Sequence, residues 1–134
     1  MSERSGAKRF SVLRQPYSGF TRIACCEPCE FEDTTGLHRG TVWNLSVLGT
    51  YVVIDGSVPV VGTTGRLLFT LPGDPTPIIG RARVAWANPP SPAKGCGAAC
   101  ALQPPGCGLE FVGLNPTDRD RIEARVRNTS RFGR

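Results

Sequence analysis

Along most of the chain, apolar and polar residues alternate one by one, the period of strands buried on a single face. Ile23 to Glu32 reads as a first strand, with Ile23, Cys25, Cys29 and Phe31 on one face and Cys26 on the other. Asp33-Thr34-Thr35-Gly36 carries turn chemistry. His38 to Leu45 follows as a second strand, with Thr41, Trp43 and Leu45 on one face and Val42 and Asn44 on the other. Gly49 marks a sharp change of direction, and Thr50 to Ile54 is a third strand, rich in β-branched and aromatic residues. Asp55-Gly56-Ser57 breaks it. Arg66 to Leu71 is a fourth strand, closed by Leu71-Pro72-Gly73-Asp74-Pro75, and Ile78 to Ala87 is a fifth. Gly108 to Val112 is a short sixth.

The alternation fails at three places. Residues 1–21 show no sustained period and read as a flexible basic arm. Residues 88–106 are rich in Pro, Gly, Ala and Cys and read as a mobile insertion between two strands. After Val112 the period becomes helical. Asn115 suits the cap, Pro116 the first helical position and Asp118 the positive helix end. Ile122 and Val126 share the inner face, Arg121 and Arg125 lie on the opposite surface, and the helix is expected to fray from Asn128. The expected organisation is an arm over 1–21, a strand-and-helix domain over 22–128 and a tail over 129–134. Six strands and one helix predict a mainly β, antiparallel barrel or sandwich closed by a C-terminal helix.

The length, 134 residues, and an apolar fraction of 40% suffice for one core. No apolar run reaches the roughly 18 residues of a membrane span, and residues 1–8 lack a secretory apolar stretch, so the default location is cytoplasmic. The net charge of +5 sits at the ends. Residues 1–22 hold five basic groups against Glu3, and residues 114–134 hold six arginines against Asp118, Asp120 and Glu123. Basic ends suit phosphate-bearing partners, although solubility alone also explains them. Nucleic acid is not the expected partner, because core packing accounts for Trp43 and Trp86 better than base stacking does.

The cysteines form two groups, Cys25, Cys26, Cys29 and Cys96, Cys100, Cys107. Cys26-Glu27-Pro28-Cys29 has a zinc-ligand spacing, but strand alternation separates its two thiols unless Pro28 makes a bulge or turn. Cys25 and Cys29 are better read as small core residues, and a lasting disulfide is not expected in the cytosol. No metal site is expected. His38, the single histidine, reads as a solvated residue beside a turn, and the acidic run Glu27, Glu30, Glu32, Asp33 as an exposed strand face. No nucleophile-and-base spacing or phosphate loop is present, so the chain is read as a non-enzyme without a cofactor.

The turn Asn44-Leu45-Ser46-Val47-Leu48-Gly49 is the leading candidate for function. Asn and Ser side chains hold local backbone, and Gly permits an approach that a Cβ forbids. Its surroundings add to this. In order stand Arg22-Ile23-x-Cys25-x-x-Pro28-x-x-Phe31, then Gly40-x-Val42-x-Asn44-Leu45-Ser46-x-x-Gly49-x-Tyr51-Val52, then Phe69-x-Leu71-Pro72, Ala82-Arg83-Val84-x-Trp86 and Gly108-Leu109-x-Phe111. From Arg22 to about Val126 this sequence resembles the PilZ family of bacterial signalling domains.

The resemblance implies a six-stranded antiparallel β-barrel with a helix at one end, and cyclic di-GMP as the ligand. In that family an R-x-x-x-R stretch before the first strand and a D/N-x-S-x-x-G turn after the second bind the nucleotide. Arg22 falls on the second arginine, and Asn44, Ser46 and Gly49 fall on the turn. Ser18 stands where the family has its first arginine, with Arg14 and Arg9 on the arm as substitutes. The resemblance thus implies a cyclic di-GMP receptor or adaptor. The alternative is a degenerate PilZ domain that works through protein contacts in motility or a related surface process.

Overall fold

The computed structural model describes residues 21–90 and 104–132, which form six strands and one helix. The strands are β1 (Ile23–Asp33), β2 (Gly36–Leu45), β3 (Gly49–Ile54), β4 (Thr64–Leu71), β5 (Asp74–Asn88) and β6 (Gly106–Gly113). All neighbours pair antiparallel, and the order β1-β2-β3-β6-β5-β4 closes into a barrel when β4 pairs with β1. The expected six-stranded antiparallel barrel with a C-terminal helix is therefore observed.

Strand alternation sorts the core of β1 as expected, but on β2 Val42 and Leu45, expected on opposite faces, are both buried because the strand bulges at Trp43. Cys25, Cys29 and Phe31 from β1 are buried with Val42, Val52, Leu67, Phe69, Ile78, Val84 and Leu109. Cys26 is exposed. The alternation is broken by bulges, each with one extra residue on one strand. One lies on β1 between Ala24 and Glu27 and one on β2 between Val42 and Asn44. The bulge on β1 falls at Cys25-Cys26, before Pro28. Across from Thr70, β5 carries Pro75-Thr76-Pro77 out of register. Two prolines lack the N–H that a ladder needs, and the irregularity accommodates them. This is why β5 begins at Asp74, four residues before the Ile78 start expected from the pattern.

The helix, α1 (Pro116–Phe132), runs past Asn128, where fraying was expected. Its cap is the one read from the sequence: Asn115 Oδ1 accepts the Asp118 N–H at 2.8 Å. Ile122 and Val126 are buried in the core. Arg121 and Arg125 do not face away from the barrel. Arg121 donates to Asp74 Oδ2 at 2.9 Å and to the Thr76 carbonyl at 2.7 Å, and Arg125 donates to the Pro72 carbonyl at 2.6 Å. The hydrogen bond from Arg121 holds the Asp74 carboxyl below its usual range. Two arginines thus fasten α1 to the β4–β5 turn.

Three further expectations change. His38 is not solvated, since its ring is mostly covered and Nε2 lies 3.1 Å from Asp33 Oδ2. The acidic run is an exposed face only in part: Glu32 is exposed and Glu27, Glu30 and Asp33 are half-buried, with Glu30 and Glu32 meeting Arg39 and Arg66 across the strands and Glu27 accepting a bond from Thr70. Neither tryptophan enters the core cluster. Trp43 is exposed at its bulge, and Trp86 lies outside the barrel, stacked on Tyr51 with ring centroids 5.1 Å apart. Gly108 is the register partner of both Tyr51 and Trp86. A Cβ there would collide with the indole, so the glycine leaves room for the two rings to meet over it.

Burial pushes the Cys29 and Cys107 thiols up to about 12 and also raises that of Cys25. Unfolded thiols ionise near pH 8.5, so the folded state keeps protons that the unfolded state loses. Stability is full below about pH 8.5 and declines as pH rises through the alkaline range. Urea midpoints at about pH 10 should lie below those at about pH 8, and Cys107→Ala should flatten the decline. An unchanged slope in that variant would exclude the thiol as a cause.

Candidate functional site

The site is built where β2 turns into β3. Leu45 pairs with Thr50, and the Ser46 N–H donates to the Gly49 carbonyl at 2.9 Å, which leaves Val47 and Leu48 as the loop. Val47 packs against the core while Leu48 is exposed. The Ser46 side chain is spent inside this turn. Its Oγ accepts the N–H groups of Leu48 at 3.1 Å and Gly49 at 3.3 Å, and donates to the Gly49 carbonyl at 3.4 Å. With one donor and two acceptor positions, the buried hydroxyl has nothing left for a ligand.

Gly49 is required by proximity. Its φ is not among the positive values of the chain. A Cβ at this position would fall on the carbonyl of Leu109 in β6. The residue therefore lets β3 and β6 approach, next to the bond from the Phe111 N–H to the Leu48 carbonyl at 2.9 Å.

Asn44 is the hub. Its Oδ1 accepts Arg22 Nη1 at 2.9 Å and the Tyr51 N–H at 3.2 Å. Two donors converging on one atom fix that atom as the oxygen, so the amide nitrogen points the other way. Among the described residues that nitrogen has no partner. The Asn44 main-chain carbonyl accepts Thr50 Oγ1 at 2.6 Å. The bulge on β2 after Val42 turns Trp43 and Asn44 out of simple alternation and puts the amide beside Arg22. Two motif pieces separated by 22 positions thus meet side chain to side chain.

The structure therefore brings together Arg22, Asn44, Ser46 and Gly49. Arg9, Arg14 and Ser18 lie outside the described residues, as do Cys96 and Cys100. Sequence reasoning did not single out Tyr51 and Thr50 as the supports of Asn44. Tyr51 Oη also donates to the Pro104 carbonyl at 2.6 Å and accepts Asn88 Nδ2 at 3.2 Å, tying the base of the 89–105 connection to the same strand. The available signal was a large aromatic paired with Gly108. Among the described residues, no three metal-ligating side chains come together, and no helix is long and apolar enough to cross a membrane.

A closed antiparallel barrel, stoppered by one helix and carrying an arginine–asparagine corner at a hairpin, defines a small β-barrel domain. The family model described as the PilZ domain matches residues 18–128, and the chain belongs to that family. In fold it is similar to the inhibitor of motility MotI/DgrA from Bacillus subtilis, with TM-score 0.69 and 17% identity. That match covers 87% of this chain and 52% of the other, so the chain spans about half of that protein's length. It is also similar to the PilZ domain of YcgR from Escherichia coli, solved with c-di-GMP, with TM-score 0.63 and 13% identity over 87% of this chain and 94% of that one. No curated protein matches the sequence.

The two kinds of residue at the corner separate by experiment. Ser46→Ala removes the acceptor for two N–H groups and should cost about 1–3 kcal/mol of stability, read from urea unfolding. Asn44→Asp keeps the accepting oxygen for Arg22 and Tyr51 and should leave the fold intact while removing the outward amide donors.

Proposed function

We propose that this chain is a cyclic di-GMP receptor or adaptor whose ligand is met by Arg22 and Asn44, on a turn held by Ser46 and Gly49. The observation that carries this reading is the 2.9 Å bond between Arg22 Nη1 and Asn44 Oδ1. It holds a guanidinium and an outward amide side by side, a pure donor array. Guanine presents the acceptors O6 and N7, and the phosphodiester adds anionic oxygens, so the ligand class is complementary. The family membership, and the c-di-GMP with which the similar YcgR domain was solved, support the same ligand. Such a module acts by binding and presenting a surface, not by catalysis, and the cytoplasm is the compartment proposed for it.

Ser18 favours a second reading, a nucleotide-independent interaction module of the same fold. Losing one charged, bidentate partner costs about 1.5–3 kcal/mol, which is roughly ten- to a hundred-fold in affinity. Calorimetric titration with cyclic di-GMP decides between them. The first reading expects saturable heat that Arg22→Ala abolishes, and absence of heat at high micromolar ligand removes it.

The deficit at position 18 is itself testable. Ser18→Arg should tighten cyclic di-GMP binding by at least about tenfold, through restored charge-assisted bonds. Unchanged affinity would mean that the arm already supplies the missing cation or that the site lies elsewhere.

A further inference from the structure

We infer that the outer wall of β4 and β5, centred on Arg81, is a docking surface for an acidic, partly apolar segment of a partner protein. In the closed strand order β5 stands opposite β2, so this wall faces away from the Arg22–Asn44 corner. The inference takes the adaptor reading further by giving it a second surface.

Arg66 on β4 and Arg81 on β5 are direct register partners, and both are exposed. The neighbouring arginines are balanced: Arg66 lies 3.4 Å from Glu32, and Arg83 lies 2.6 Å from Glu110. Arg81 has no carboxylate partner among the described residues. Its stem runs over Gly113, where a Cβ would press on it, so the side chain crosses β6 with its head displayed. Ile79 and Val112 flank it at 43% and 49% exposure. The wall thus presents a guanidinium between apolar side chains, with no carboxylate beside it among the described residues.

Magnitude selects the partner. Three arginines against Glu32 and Glu110 leave the wall one net positive charge. Salt-driven nucleic acid binding draws on roughly 6–10 phosphate contacts, and anionic membrane recognition on roughly 4–8 basic residues. One displayed guanidinium with apolar flanks suits a short peptide carrying a carboxylate among apolar residues. A closed barrel offers no strand edge, so the contact is made by side chains.

The test uses the full chain and a short fluorescein-labelled peptide that alternates Glu with Val. Its Gln-for-Glu counterpart, an oligothymidine and phosphatidylserine vesicles form the other arms. The expected result is binding of the acidic peptide, with amide shifts confined to β4, β5 and the adjoining end of β6. Arg81→Gln keeps the stem and should weaken peptide binding about tenfold. Any one of these outcomes overturns the inference: no acidic-peptide binding, equal binding of the Gln peptide, no effect of Arg81→Gln, or tighter binding of DNA or vesicles. Cyclic di-GMP affinity measured on the same samples reports on the other corner, so the two readings fail separately.

Discussion

Closing six strands into a barrel is the constraint on which the remaining features depend. A barrel this narrow forces neighbouring backbones together, and the sequence meets the demand where the crowding is worst. A Cβ at Gly40 would fall on the Val53 carbonyl, one at Gly49 on that of Leu109 and one at Gly106 on that of Val52. These three positions run along the β2–β3–β6 side. The closing seam between β1 and β4 is apolar within, where Phe31 pairs with Leu67 and Cys29 with Phe69. Closure also leaves no unpaired edge, so every contact this domain makes with another molecule must come from side chains or from its turns.

The corner at Arg22 and Asn44 is a by-product of that closure. Bulges on β1 and β2 sit at the same level of the barrel, at Cys25-Cys26 and at Trp43. Each shifts register by one residue, and together they rotate Asn44 outward at the rim. There its side-chain Oδ1 is anchored from both sides, by the Arg22 guanidinium and by the Tyr51 N–H. The division of labour in the turn follows. Ser46 and Gly49 satisfy the geometry of the hairpin and the approach of β6, whereas Arg22 and Asn44 carry the donor chemistry. A polar site whose support is saturated internally needs little reordering when a ligand arrives, which lowers the entropic cost of binding.

The strands, the helix cap and the inward cysteines were legible because alternation and capping are local signals. What was not legible depends on register or on distant partners. Trp43 and Trp86 look like core residues by type, but a bulge exposes the first and Gly108 lets the second stack on Tyr51 outside the barrel. Arg121 and Arg125 look solvent-facing on a helical projection, yet their acceptors lie on a turn more than forty residues earlier. For Asn44, Ser46 and Gly49 the pattern marked positions that the fold gathers at one turn beside Arg22. It did not reveal that the Ser46 hydroxyl is consumed within the turn, or that Gly49 answers to Leu109 rather than to its own dihedral angles.

The same rigidity limits how two surfaces on this domain can communicate. A packed interior transmits little continuous deformation, and a ligand shifts an equilibrium only by its differential affinity for two states. The Arg22–Asn44 corner and the Arg81 wall lie on opposite sides of one closed barrel, and the described residues form a single core between them. On the proposed reading of both surfaces, binding at one is additive with binding at the other unless a movable element touches both. Within the described residues, α1 is fastened to the β4–β5 turn by Arg121 and Arg125, and the base of the 89–105 connection is tied to Tyr51 beside Asn44. Those two attachments join the barrel to elements outside its wall. The second begins one hydrogen bond away from the corner, at the strand residue whose N–H holds Asn44.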